Sequence, residues 1–289
     1  MTDADKGSIG TFGLDDAALA AHPTIYASDA FRGQVVLVSG GAGGIGRAAA
    51  WLFARLGAHV VISGRSGGKL DGVVSAMTAH GLEASRVLVD IREPESVAAL
   101  YDQVWSAHGR LDVLVNSAGG QFPQAAIDFS AKGWNAVVDT NLNGTWHMMQ
   151  AAARRWRDAG MPGSIVNIVV VTTHGLYGVA HTIAARAGVI ALSRSVAVEW
   201  APLGVRINCI APGAIETEGW KVYTAEARAA YPRSNPMMRA GTAWDIAEAC
   251  VFLGGPAAKF VTGELLTVDG GGQLWGETWT TGKPDYFKA

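Results

Sequence analysis

A run rich in glycine, Ser39-Gly40-Gly41-Ala42-Gly43-Gly44-Ile45-Gly46, lies between the β-branched stretch Val35-Val36-Leu37-Val38 and a helix-forming segment, Arg47 to Leu56. Glycines placed there let the backbone turn sharply and come close to a bulky anion, while the free amides and dipole at the helix start favour negative charge. The chemistry indicated is the cradling of a pyrophosphate, because the loop sits in the strand-to-helix context that the motif requires. Metal and thiol chemistry are disfavoured. The seven histidines are scattered, with no HExxH pair or other tight ligand spacing, so no metal is expected. Cys209 and Cys250 are too few and too far apart for a disulfide framework or a thiolate site.

Such a loop needs a sheet edge to hold it. Short apolar runs at 35–38, 59–62, 87–89, 113–115, 165–171, 205–210 and 265–268 recur with Ala-rich helical segments between them. Buried parallel strands read as continuous apolar runs because helices cover both faces. The alternation predicts an α/β fold, a Rossmann-type doubly wound parallel sheet in three layers, within a single domain. Glycines mark helix ends at Gly57, at Gly109 and at Gly204, the last closing a long helix that begins near Ala180. Residues 1–33 read as an extension that packs on the surface or frays. Residues 34–272 form the domain, with a substrate lid over about 214–240, and 273–289 form a tail carrying Trp275, Trp279, Tyr286 and Phe287.

With 25 acidic and 23 basic side chains, the net charge of −2 argues against nucleic-acid binding, which needs a basic excess to displace counterions. The first 13 residues lack the basic and apolar regions of a secretion signal. No stretch approaches the roughly 18 apolar residues of a membrane span. A cytoplasmic protein acting on a small molecule, without nucleic-acid or membrane partners, is the expectation.

From about Gln34 to Gly272 the sequence resembles the short-chain dehydrogenase/reductase family. The likeness rests on the Ser-Gly-x-x-x-Gly-Ile-Gly loop, Asp90-Ile91 after the third strand, Asn116-Ser117-Ala118-Gly119 after the fourth, Asn141-Leu142-Asn143-Gly144, and Pro212-Gly213 with Ile215 and Thr217 after the sixth. It implies that a dinucleotide lies along Gly40, Gly41, Gly44, Ile45 and Gly46. Asp90 and Ile91 would border its adenine and Asn116, Ala118 and Gly119 its ribose, and Pro212, Gly213, Ile215 and Thr217 would contribute to cofactor binding, Thr217 standing at the threonine that often touches the cofactor. It also implies a homodimer or homotetramer. At the end of the second strand, where a carboxylate would bond a ribose 2′-hydroxyl, stands Gly64-Arg65-Ser66. Arg suits a 2′-phosphate, so NADP(H) is preferred, with NAD(H) permitted if Arg65 only stacks on adenine.

The pattern breaks at the chemistry. Where most members carry Tyr-x-x-x-Lys, counting back from Ala187-Gly188-Val189 gives Thr182 and Arg186, and the expected serine falls on Val170, or on Thr172 or Thr173. Thr182 and Arg186 share a helix face, so Arg186 can still reach ribose hydroxyls. Neither side chain replaces a titrating phenol. Tyr177 and His181 are the nearby candidates for a proton donor, ahead of His174 and His147. The departure is similar to that of the 2,4-dienoyl-CoA reductases, where a small residue holds the tyrosine position; Asn141 and Thr182 fit that branch, Arg186 and Val171 do not. Bacterial citronellol-type dehydrogenases give a vaguer likeness. The leading expectation is an NADP(H)-dependent oxidoreductase moving a hydride to or from an activated C=C, C=N or C=O group, with Asn141, Thr182 and Arg186 at the nicotinamide end. The alternatives are a catalytically inactive NAD(P)-binding sensor or scaffold, and a non-redox enzyme using His181 or Tyr177.

Overall fold

The computed structural model describes residues 12–276 and 280. Its strands are β1 (Val35–Ser39), β2 (His59–Gly64), β3 (Ala84–Leu88), β4 (Val113–Asn116), β5 (Gly163–Ile168), β6 (Val205–Pro212), the short pair β7 (Ile215–Glu216) and β8 (Gly241–Thr242), and β9 (Leu265–Val268). Seven of them form one parallel sheet in the order β3-β2-β1-β4-β5-β6-β9, so the chain winds outward from β1 in one direction and then in the other. The helices are α1 (Asp16–Ala21), α2 (Gly44–Arg55), α3 (Gly67–Ala79), α4 (Pro94–His108), α5 (Ala131–Val138), α6 (Gly144–Ala159), α7 (Ala180–Trp200), α8 (Ala225–Ala230) and α9 (Ala243–Gly254). This is the doubly wound α/β architecture that the alternation of apolar runs predicts.

Strand β1 shows why those runs are uninterrupted. Val36 and Val38 enter the core under α2, α3 and α9, whereas Val35 and Leu37 enter the core under α4 and α6. Both faces are covered, so Val35–Val38 are apolar throughout, and the buried Ser39 that ends the strand donates its hydroxyl to Asn116 Oδ1 at 3.4 Å. The edge strand β3 departs from the expected 87–89: it runs over Ala84–Leu88, and of its residues only Val87 is buried. One uncovered face removes the apolar signal that marks the inner strands. The last helix before Gly204 is also shorter than expected. It stops at Trp200, and a 3-10 turn over Ala201–Leu203 leads into Gly204 at φ 73°.

The extension is more than surface packing from residue 12 onward. Asp15 caps α1 by accepting from the Ala18 amide at 2.8 Å, and Leu19 and Phe31, each 1% exposed, join the core under α2 and α9. The segment 214–240 carries 3-10 turns at Glu218–Val222 and Tyr231–Arg233 around α8. At its far end, Thr242 and Asp245 form a capping box that starts α9. Trp279, Tyr286 and Phe287 lie outside the described residues.

Candidate active site

The carboxyl ends of β1, β2 and β4 meet at a cavity of about 250 Å³, walled in part by Gly40, Ser63, Arg65, Ser66, Asp90, Ile91, Arg92, Ala118 and Gly119. Glycine is required on its floor. Gly40 has φ 73°, and a Cβ there would lie 2.7 Å from the Ala118 amide nitrogen. Helix α2 then begins with no side-chain cap, which leaves its first amides to other anions. Ser63 adds a buried hydroxyl with no hydrogen-bond partner among the described residues, a polar group open to a ligand in the wall of a cleft. Asp90 is held by Arg92, which donates from Nε at 2.9 Å and from its own amide at 3.1 Å. Those bonds keep the Asp90 carboxyl down at about 2. Arg65 is exposed and makes no ion pair among the described residues. A dinucleotide fits this chemistry: a helix start with no N-cap side chain, an unpartnered hydroxyl and an uncommitted guanidinium along one wall.

The second group lies beyond Gly119. Between α5 and α6 the chain makes a π-helical turn, Asp139–Asn143, with Asn141 buried at its centre; such turns recur at functional sites because they push a side chain out of the helical ladder. The Asn141 Oδ1 accepts from the Gly120 amide at 3.0 Å, and its Nδ2 donates to the Gly120 carbonyl at 3.0 Å and to Thr182 Oγ1 at 2.9 Å. With both amide protons spent, Asn141 fixes Thr182 as an acceptor, which leaves the buried Thr182 hydroxyl its own proton to donate. One helical turn on, the Arg186 guanidinium donates to the Ile168 carbonyl. It packs so tightly on Gly119 that a Cβ there would collide with Nη2. Burial draws its pKa down to about 10, so it remains a cation at neutral pH, and no carboxylate among the described residues pairs with it.

Residues 40–273, more than half of the 289-residue chain, match the family described as enoyl-(acyl carrier protein) reductase. The chain is 37% identical over 243 residues to the probable 2,4-dienoyl-CoA reductase of Bacillus subtilis (strain 168), covering 82% of this chain and 96% of that one. It is 38% identical over 247 residues to the cis-4-hydroxycyclohexanecarboxylate dehydrogenase of Sinomonas cyclohexanicum, covering 84% of this chain and 98% of that one. Among solved structures, the citronellol catabolism dehydrogenase of Pseudomonas aeruginosa PAO1 matches with a TM-score of 0.78 and 36% identity, over 86% of this chain and 99% of that one. The chain belongs to the short-chain dehydrogenase/reductase family. As a member it is an NAD(P)-dependent oxidoreductase acting on a small molecule.

Gly40, Arg65, Ser66, Asp90, Ile91, Ala118 and Gly119 share the cavity wall. Gly41 and Gly46 instead serve close packing, on Ile62 and on the Gly40 carbonyl, and Ile45 packs against the core beneath the loop. Pro212 pairs with Val268, the Gly213 amide donates to the Val268 carbonyl at 3.0 Å, and Ile215 pairs with Gly241. Thr217 reaches the loop, its methyl 3.5 Å from where a Cβ of Gly44 would stand. Asn116 works inside the sheet, donating to Asn167 Oδ1 at 2.8 Å, and Asn167 donates in turn to Ser193 Oγ at 3.0 Å.

Of the two expected proton donors, Tyr177 stands apart from this group and His181 adjoins it through the Thr182 backbone. Tyr177 is 93% exposed and makes no hydrogen bond or ring contact among the described residues, because the glycine-flanked loop Gly175–Gly178 gives its ring nothing to pack on. His181 is buried; its Nδ1 accepts from the Thr182 amide at 2.8 Å, and its ring is enclosed by Phe129, stacked at 4.5 Å, and Phe122, edge-on at 4.7 Å. Of the others, His174 is exposed, and His147 Nδ1 lies 3.1 Å from the Ile91 carbonyl. Sequence reasoning missed Arg92, which the Asp90-x-Arg92 spacing could have flagged, and Glu218, whose Oε2 accepts from the Gly44 amide at 3.0 Å. Nothing in the sequence links residues 44 and 218.

Proposed function

We propose that this protein is an NADPH-dependent reductase of a carbon–carbon double bond conjugated to a carbonyl, with an acyl thioester as the favoured substrate class. The bound coenzyme would supply a hydride; the residues of the chain supply binding, orientation and charge. The observation that carries the reading is the pairing of a buried hydroxyl that still has its proton, Thr182, with a half-buried cation that has no carboxylate partner among the described residues, Arg186. When a hydride reaches the far carbon of such a system, negative charge develops on the carbonyl oxygen. A fixed donor and a fixed cation stabilise that oxygen without giving it a proton. The proton that completes the saturated bond goes to carbon and comes from water, so no tyrosine is needed. A simple ketone, by contrast, must receive a proton on oxygen, and neither Thr182 nor Arg186 can deliver one near neutral pH.

Asn141 orients Thr182, and Gly119 gives Arg186 its seat. The names of the relatives support the same class, since the Bacillus subtilis protein is called a 2,4-dienoyl-CoA reductase. NADP(H) over NAD(H) is supported by the uncommitted Arg65 beside Ser66 at the mouth of the cavity. Two buried free thiols, Cys209 raised to about 11 and Cys250 to about 12 by burial, suit a reducing compartment such as the cytoplasm. A homodimer or homotetramer is carried from the family alone.

The test follows the absorbance of NADPH with a 2,4-dienoyl thioester, an enoyl thioester and a ketone of matched chain length. Turnover of the conjugated thioesters but not the ketone is expected. Faster ketone reduction overturns the reading. Arg65→Glu should weaken NADPH binding about tenfold or more and leave NADH binding within a few-fold; equal losses for both coenzymes would remove Arg65 from phosphate recognition.

A further inference from the structure

We propose that Glu218 is a carboxylate latch that competes with the dinucleotide pyrophosphate for the amino end of α2, so that coenzyme binding must displace the first turn of the lid. The proposal rests on the reading of the Gly-rich loop as a dinucleotide site. Three contacts carry it. Glu218 Oε2 accepts from the Gly44 amide at 3.0 Å, one of the groups that opens α2. The other carboxylate oxygen, Oε1, lies 3.1 Å from Arg47 Nη2 on the same helix turn. Thr217, one residue earlier, packs its methyl on Gly44 and caps the Glu218–Val222 turn by accepting from the Gly219 amide at 3.2 Å. The carboxylate therefore spans the place where the loop geometry and the helix dipole favour a phosphate.

A single amide cannot serve a carboxylate and a pyrophosphate at once, and two anions side by side repel. The latch is also braced from behind. Arg47 donates to the Leu14 carbonyl and lies 3.7 Å from Asp16, while the Gly13 amide donates to Glu216 Oε1 at 3.3 Å. The N-terminal segment, the first turn of α2 and the root of the lid are thus closed into one ring of contacts. Displacing Glu218 loosens the lid root, and by linkage whatever holds the lid root in place weakens coenzyme binding by the same factor.

The experiment is a calorimetric titration of NADPH into the wild-type protein, Glu218→Gln and Glu226→Gln. The last removes an exposed carboxylate on α8 and controls for net charge. Loss of a charged hydrogen-bond partner of this kind predicts a dissociation constant about tenfold lower for Glu218→Gln, and no change for Glu226→Gln. Hydrogen exchange of the wild type should also show faster exchange over residues 217–222 when NADPH is present. Equal or weaker binding by Glu218→Gln, with both variants melting within a few degrees of wild type, overturns the latch. If the wild type binds neither NADPH nor NADH, the dinucleotide reading itself fails, which is a distinct outcome from a coenzyme that binds both proteins alike.

Discussion

At the scale of single residues, the proposed function separates binding from proton transfer. Asn141 spends both amide protons on Gly120 and Thr182, so Thr182 is fixed as a donor to whatever oxygen enters. Thr182→Val keeps the shape and removes that donor; kcat/KM is expected to fall about 10- to 100-fold, consistent with loss of a hydrogen bond to a charged oxygen. The pH dependence carries an independent signature. Among the described residues no phenol bonds to Thr182 or Arg186, and Arg186, lowered by burial to about 10, stays protonated until the pH approaches that value. The profile of kcat/KM should therefore be flat between about pH 6 and about pH 9 and decline above, as the guanidinium loses its proton. A break near neutrality would instead assign the chemistry to a histidine, and His181, beside Thr182, would be the first to substitute. The one-turn spacing of Thr182 and Arg186 on a helix was legible in the sequence by counting. The free proton of Thr182 was not, because it depends on a partner 41 residues away.

At the scale of elements, the loops that carry function are held by features with no periodic signal. The π-helical turn that presents Asn141 interrupts what reads as one helix from residue 131 to 159. Its extra residue per turn leaves no mark in an apolar pattern. The N-terminal segment was also hard to read. Helix α1 has six residues, too short for periodicity to register, yet it delivers Leu19 into the core and brings Asp16 within 3.1 Å of Trp51 Nε1. Its contribution can be measured: Leu19→Ala is expected to cost about 2–5 kcal/mol of unfolding free energy in a denaturant titration, the range for emptying a fully buried leucine site. A loss below about 0.5 kcal/mol, the level of an ordinary surface change, would show that α1 is dispensable to the fold.

At the scale of the whole molecule, the sheet order follows from where the chain reverses direction, and that reversal sets the site. β1 and β4 are neighbours with their connections leaving toward opposite faces, so their carboxyl ends diverge into a crevice. The apolar runs of the inner strands, the Gly-rich loop and the Asn116-to-Gly119 turn make that crevice legible in the sequence. The edge strand β3 was displaced by a few positions because one of its faces is uncovered, and the contact of Glu218 with Gly44 joins positions that only folding brings together. Under the proposed function, the fold would deliver a reducing site in which charge on a substrate oxygen is met by Thr182 and Arg186 and the last proton comes from solvent. That claim is tested most directly by turnover of a conjugated enoyl thioester with NADPH deuterated at the transferred position, followed by mass spectrometry of the product. The account predicts deuterium on carbon in the wild-type product, at a rate lowered in Thr182→Val and Arg186→Ala. Product without the label, or full rates in both variants, would contradict it.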